Sequence, residues 1–537
     1  LRNLAFRAVV IAGGVRPIAF GIANIALYAA AALLVLALFT RVTNDARAAA
    51  WATALWIVLP VHVEAVAYAS ALGDLLSLAL ELPALVVALP FVATNGRRWR
   101  VVASTALAAA AMLAKEMAVT EPALVVLVAV ALGGDVWRRR RLVAVAVAHG
   151  VAALAYVALR THVVGAVGQE PLTAQSLATG LRDAPWLLVH YAWISVAPLG
   201  HAASYRVPPP STLALVTTLV SLVATAVATW RWRRAVLVGL AWFAVALAPV
   251  LHLVPLWADL ADRFALFPSV GLALALAAAM AGSRRRLWPV LVALTIIYAL
   301  ASLVEERAWR SDATLWRYAV DREPDAPLAR GNLAAVLLGE GRVEEALAQL
   351  EALHALGYTR GDVELKRAYV LSRMGRADEA ARAIAASLRL DGKNGAAHAL
   401  AGQLALAAGD AGRAARELEA AHTLAPAHPS TGLLGYQLLR ARAIARAPSE
   451  NAPAGDARVD YLTALQALTF DDAAGAVQSA RACLSRSPGR PQCEAVLGQA
   501  LVLQGPLDGE ARVLLDRCIA GDGPDRARCQ EAEWGAR

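Results

Sequence analysis

The chain has no glycine-rich phosphate loop, no Gly-x-Ser-x-Gly nucleophile elbow and no His-Glu-x-x-His pair. These absences argue against a nucleotide-driven enzyme of the cytosol, whereas an enzyme using a lipid-linked donor outside the cytoplasm needs none of them. Charge is scarce as well, with 17% of residues charged against 58% hydrophobic and a mean hydropathy of +0.51. No soluble domain needs so much apolar surface; a bilayer-embedded one does. Cysteine is rarer still, four residues with none before Cys483. The beginning of the chain lacks the charged n-region and cleavage site of a signal peptide. It opens at Leu1 in mid-pattern, and the expectation is that one more span and an outer loop precede it.

The apolar residues are unevenly spread. Blocks run over Ile18–Phe39, Ala48–Pro60, Leu75–Ala93, Val101–Met117, Pro122–Val136, Leu142–Leu159, Leu213–Trp230, Ala235–Leu251, Phe264–Gly282 and Trp288–Val304, and a charged, helix-like stretch follows. Several blocks approach the ~20 residues needed to cross ~30 Å of hydrocarbon. The net charge of +9 does not point to nucleic acid, because the arginines lie between the blocks: Arg97, Arg98 and Arg100; Arg138 to Arg141; Arg231, Arg233 and Arg234; Arg284 to Arg286. Short basic loops between spans mark cytoplasmic retention. With those clusters inside, His62–Asp74, Lys115–Glu121, Arg160–Pro210 and His252–Arg263 face outward, and so does everything after the last span. Ala184–Leu199 does not fit this alternation as a span, and is read as a re-entrant or interfacial helix.

The C-terminal third repeats itself. Gly341-Arg342 with Glu344-Glu345-Ala346 returns 34 residues later as Gly375-Arg376 with Asp378-Glu379-Ala380, and after 34 more as Gly409-Asp410 with Ala414. Ala334, Ala368 and Gly402 keep the same period. The pattern resembles the tetratricopeptide repeat, in which small residues let two antiparallel helices pack closely and the glycine turns between them. Pro426 fits the end of the third unit, Ala447–Gly455 reads as a loop, and Tyr461–Ile519 resumes as looser repeats. Cys483 and Cys518 are 35 apart, Cys493 and Cys529 36 apart, close to the period. The expected pairing is therefore Cys483–Cys493 and Cys518–Cys529, with four buried thiols as the alternative; the spacings do not suit zinc. Disulfides would place this part in an oxidising compartment, the side the arginines also choose.

Ionisable residues at a membrane boundary are costly unless they pair or work. His62 and Glu64, with Asp74 ten residues beyond, suit a phosphate-bearing donor or a proton, or they are simply interfacial polarity. Lys115-Glu116 interrupts an apolar helix pair, either as a phosphate-binding point charge or as the marker of a turn. Asp262-Arg263 stands at the mouth of a span, for an anionic ligand or as an internal pair. His190, Tyr191, Trp193, His201, Tyr205 and Arg206 have the mixed character of an interfacial aromatic belt.

In order, Pro60-Val61-His62-Val63-Glu64-Ala65-Val66, Asp74-Leu75-Leu76, Leu113-Ala114-Lys115-Glu116, Asp262-Arg263 with Pro268-Ser269-x-Gly271, and repeats after Trp309 and Trp316 resemble the transmembrane and tetratricopeptide-repeat protein O-mannosyltransferases and their bacterial relatives. The likeness covers about Leu1 to Pro429. It implies an all-α protein, a polytopic GT-C-like transmembrane bundle over residues 1–304 followed by a tetratricopeptide α-solenoid over 305–430; beyond it, residues 431–537 read as degenerate helical repeats. It further implies a glycosyltransferase moving a mannose-like sugar from a polyprenyl-phosphate donor to a protein hydroxyl on the non-cytoplasmic face. The donor would be the lipid-linked sugar, the partners the bilayer and a protein or peptide acceptor. Lys115 and Arg263 would hold the leaving phosphate with His62 in support, while Glu64, Asp74 and Glu116 orient the cations or the acceptor. There are departures. The family's Gly-Arg-Ala before the aspartate reads Ala71-Leu72-Gly73, its Glu-Arg pair reads Asp262-Arg263, and an early histidine is Gly21. The acidic motif that carries the family's catalytic carboxylate would lie before Leu1. The alternative is a membrane-anchored scaffold that recruits partners through its repeats. Abundant Ala and Arg point to a GC-rich bacterium and hence to an inner-membrane protein with periplasmic repeats.

Overall fold

The computed structural model describes all residues except 15, 94–96, 133–139, 165–172, 206–215, 217–219, 221–233, 253–259, 282–287, 425–456, 470–471, 505–508, 521–528, 531 and 533–537. Arg138, Arg139, Arg206, Arg231, Arg233, Arg284 to Arg286, the block Leu213–Trp230 apart from Val216 and Val220, Pro426 and the loop Ala447–Gly455 thus lie outside the described residues. The described elements are all helical and fall into two units, Leu1–Tyr318 and Ala319–Arg537.

In the first unit the helices are α1 (Arg2–Gly13), α2 (Pro17–Thr43), α3 (Ala46–Ile57), α4 (Val63–Ala67), α5 (Leu72–Ala93), α6 (Trp99–Ala114), α7 (Glu121–Ala131), α8 (Arg140–Val164), α9 (Ala174–Val196), α10 (Arg234–Leu247), α11 (Pro268–Met280), α12 (Trp288–Glu306) and α13 (Asp312–Arg322). Leucine, alanine and valine dominate their buried faces, and Trp56, Trp242, Leu78, Leu82 and Leu124 form one core. About ten apolar blocks were expected to span. Among the described residues four helices are long and apolar enough (Pro17–Thr43, Ala69–Val92, Arg140–Val163 and Trp288–Arg310), and a fifth counts if the bent pair Ala46–Ile57 and Pro60–Ala67 is one span. Other blocks give shorter apolar helices, including Trp99–Ala114 and Pro268–Met280. They are cut short by breaks at which the polar residues sit.

Those breaks have local causes. Pro60 opens a 3₁₀ turn and has no N–H with which to prolong α3. Lys115 and Ala261 are extended, at φ −151° and −152°, so the chain leaves α6 and enters the turn Asp262–Ala265 without helical continuity. Freed carbonyls need donors in an apolar interior. Asn24 of α2 supplies them, its Nδ2 donating to the Val66 and Tyr68 carbonyls at 3.0 and 3.2 Å.

The second unit is built of helix pairs: α14 (Pro327–Gly339) with α15 (Val343–Ala355), α16 (Gly361–Arg373) with α17 (Ala377–Leu390), α18 (Gly395–Ala407) with α19 (Ala411–Leu424), then α20 (Ala457–Thr469) with α21 (Ala473–Arg486) and α22 (Pro491–Gln504) with α23 (Gly509–Ala520). Gly341, Gly375 and Gly409 each have φ between 73° and 80°, the left-handed cap that a glycine adopts without a Cβ clash. The residue after each glycine donates back to the helix, Arg342 to Leu337, Arg376 to Leu371 and Asp410 to Ala405, so the three turns are built alike. Gly402 lies where a Cβ would come within 2.6 Å of Leu418 Cγ, which explains a small residue at that point of the period. These are repeats of the tetratricopeptide kind. Disulfides join Cys483 to Cys493 and Cys518 to Cys529, with Cα atoms 6.1 and 6.2 Å apart.

Candidate functional site

The helix breaks of the first unit converge. Lys115 Nζ pairs with Asp74 at 2.9 Å, joining the end of α6 to the first turn of α5. A carboxylate there is also favoured by the helix N-terminus. Arg263 pairs with Glu64 across 199 positions, through its guanidinium and through its backbone N–H at 2.9 Å. One aromatic ring joins the two pairs: Phe264 lies 5.9 Å beneath the Lys115 ammonium and 4.9 Å beneath the Arg263 guanidinium. Tyr68 faces the same guanidinium at 5.7 Å. The carboxylates are 6% and 4% exposed, while Lys115 keeps 14% and Arg263 19%. Solvent therefore reaches the cations and not the anions that hold them.

Arg263 and Asp262 are neighbours in sequence and part company in space. Asp262 accepts from His201 Nδ1 at 2.9 Å and from the Tyr205 hydroxyl at 2.5 Å. The aromatic group thus enters the site through the segment after α9, with His190 stacked on Trp186 and edge-on to Tyr205. Its remaining members, Tyr191 and Trp193, are respectively buried and exposed on α9. Burial, the largest influence on His201, works against a charged imidazole, but the charge and hydrogen bond of Asp262, with the Ala197 carbonyl and the charge of Glu305, together raise the ring above its ordinary titration range. Arg263 is likewise buried at a cost, and Glu64 and Asp74 keep it the more firmly cationic.

His62 is 1% exposed and bonded on both sides. Nδ1 meets the Tyr28 hydroxyl at 2.7 Å and Nε2 meets Ser269 Oγ at 2.9 Å. Ser269 takes the Trp56 indole N–H at 2.9 Å and gives its own proton to the Leu266 carbonyl at 2.8 Å. Ser269, with its proton on Leu266, accepts at Oγ from His62 Nε2, and the Tyr28 hydroxyl shares its single proton between His62 Nδ1 and the Ile57 carbonyl at 2.9 Å. So placed, His62 ties α2, α3 and α11 together. Glu116 opens the 3₁₀ turn Glu116–Thr120 and, among the described residues, holds neither cation.

Of the six residues chosen from the sequence, the structure brings Glu64, Asp74, Lys115 and Arg263 into one ionic cluster, sets His62 in a buried bracket, and leaves Glu116 beside Lys115. Tyr28, Trp56 and Asn24 went unnoticed in the sequence. Their only signal was polarity inside apolar helices. The cluster has the parts to hold an anion on two cations, or to take up a proton from a hydroxyl on carboxylates fixed by those cations.

No family model matches the chain, and no curated protein matches it. Among solved structures the chain is similar to YrrB, described as a TPR protein with an unusual peptide-binding site, at 15% identity and a TM-score of 0.21, over 41% of this chain and 99% of that one. It is similar to PilF of Pseudomonas aeruginosa at 19% identity and a TM-score of 0.25, over 36% and 91%. A tetratricopeptide repeat protein from Parabacteroides merdae follows at 16% and 0.23, over 43% and 91%. At these identities and scores the likeness says nothing of function.

Proposed function

We propose that the chain is a membrane glycosyltransferase of GT-C type, moving a mannose-like sugar from a polyprenyl-phosphate donor to a protein hydroxyl on the non-cytoplasmic side. The observation that carries this reading is the pair of partly exposed cations, Lys115 and Arg263, both against the Phe264 ring and each backed by a buried carboxylate. A membrane anchor for a scaffold needs no such cluster, because burying ion pairs in an apolar bundle is weak support for stability. In the mechanism proposed, the acceptor oxygen bonds to the sugar's anomeric carbon as the bond to the lipid phosphate breaks, the acceptor's proton passes to the departing phosphate, and that phosphate leaves onto Lys115 and Arg263, whose positive charge is fixed in place beforehand. Glu64 and Asp74 are positioning residues that hold the cations, and Asp262 is held in turn by His201 and Tyr205. The repeats bind the protein acceptor. The test is transfer of labelled sugar from polyprenyl-phosphate mannose to protein in membranes containing the full chain. Lys115→Ala and Arg263→Ala each lower transfer about 100-fold, the usual loss of one electrostatic donor. Equal transfer in both variants and the wild type removes the site assignment.

A second reading, a scaffold that recruits partners, is favoured by an apolar recess on the repeats lined by Ala334, Leu338, Leu350, Tyr369 and Val370 with Lys366 at hand. In that case the same two variants retain full partner capture and the wild type shows no transfer.

A further inference from the structure

Below the ionic cluster a second polar group runs into the bundle. Asp74, Ser77 and Glu81 follow one another at intervals of three and four along α5, and so lie on one face. Asp74 belongs to Lys115. Glu81, about 10 Å further along the axis at 1.5 Å per residue, belongs to no cation and is 1% exposed. Its Oε1 accepts the Ser77 hydroxyl at 2.8 Å, while Oε2 has no hydrogen-bond partner. Glu121, in the first turn of α7, is 0% exposed, and neither of its carboxylate oxygens has a partner. Glu81 is the charge it feels.

Two bare carboxylates in an apolar interior, with no cation beside them, repel each other and lose their hydration. Among the described residues no hydrogen-bond partner reaches Glu81 Oε2 or either Glu121 oxygen. Arg2 of α1 lies against Gly73; Arg41 of α2 donates to the Val86 carbonyl; His149 of α8 is bonded to Ser104; Arg160 of α8 is bonded to Tyr156; and α10 has no charged residue after Arg234. Tyr28 is committed to the His62 bracket, and Glu116 adds only negative charge. Asp74 adds a further negative charge within reach of Glu81.

We infer that Glu81 and Glu121 hold a proton in common, forming a proton-binding site inside the bundle that Ser77 links toward Asp74 and the ionic cluster. The proton turns one of three partnerless oxygens into a donor and another into its acceptor, and removes one of two buried charges. No group of three His, Cys, Asp or Glu side chains among the described residues is placed to hold a metal ion, so a proton suits this pair better than a divalent cation. The inference does not depend on the transferase reading.

The test uses the full chain in detergent micelles at pH 7 and a hydrophobic carbodiimide, which modifies carboxyl groups only in their acid form. An ordinary glutamate is about 0.2% acid at that pH. The expected result is an adduct on Glu81 or Glu121 at least about tenfold above that on the surface glutamates of the repeats, located by peptide mass spectrometry. Infrared spectra provide a measurement that does not rely on reagent access: the acid carbonyl band at pH 7 disappears in the E81Q/E121Q double variant. No adduct together with an unchanged acid band overturns the inference. Suppression of the adduct by sodium at constant pH also overturns it, by assigning the pair to a metal cation.

Discussion

At the scale of single residues the most exacting arrangement is His201 with Asp262. The imidazole is buried at 1% exposure and lies 2.9 Å from a carboxylate that also takes a tyrosine hydroxyl at 2.5 Å. Its titration is raised despite burial, so the folded value lies above the ~6.5 of an unfolded histidine. The sign follows from linkage: the pair's stabilisation is complete below the unfolded value and is lost as pH rises through the folded one. Thermal melting of the full chain between about pH 6 and pH 9 therefore falls more with pH in the wild type than in His201→Asn; parallel curves contradict this. Much of this site was legible residue by residue, because a lysine, an arginine or a carboxylate stands out in an apolar sequence. What could not be read was partnership. Asp262 and Arg263 suggest a pair by adjacency, yet a 3₁₀ turn sends them to different partners. Tyr28 and Trp56 look like ordinary core aromatics until His62 and Ser269 meet them.

At the scale of elements, α10 and α11 pack without space between them. A Cβ added at Gly271 would stand 2.5 Å from the Gly239 carbonyl oxygen and 2.8 Å from the Phe243 nitrogen, both backbone atoms that cannot swing aside. Gly271→Ala is expected to destabilise the bundle by about 1–3 kcal/mol, the range for overpacking. Gly21→Ala, where nothing lies within 4 Å, provides the control and is expected to melt as high as the wild type or slightly higher. Equal melting of the Gly271 variant and the wild type would show that the helices part easily. The repeats are the most legible elements, since Gly341, Gly375 and Gly409 state both the period and the backbone conformation they serve. Helix breaks in the first unit are harder to read. Pro60 announces one, but nothing in Lys115 or Ala261 announces the extended backbone each adopts. That is why blocks read as spans become shorter helices joined by turns.

At the scale of the whole molecule, what escapes sequence reading is contact over long separations. In the first unit Trp56 reaches Ser269 across 213 positions. In the second, Asp472 accepts the Tyr369 hydroxyl at 2.9 Å across 103 positions and pairs with Arg373. A 34-residue period describes each repeat's fold and cannot tell which later helix returns to touch α16. Among the described residues four apolar helices, or five with the bent pair, suit a chain that lies within a bilayer. On the proposed function, Lys115 and Arg263 receive a lipid phosphate. The most direct test is the affinity of the full chain, reconstituted in lipid nanodiscs, for polyprenyl-phosphate mannose. Removing either cation by Lys115→Ala or Arg263→Ala is expected to weaken binding about 10- to 100-fold, the value of a hydrogen bond to a charged group. Affinity unchanged in both variants would contradict the account.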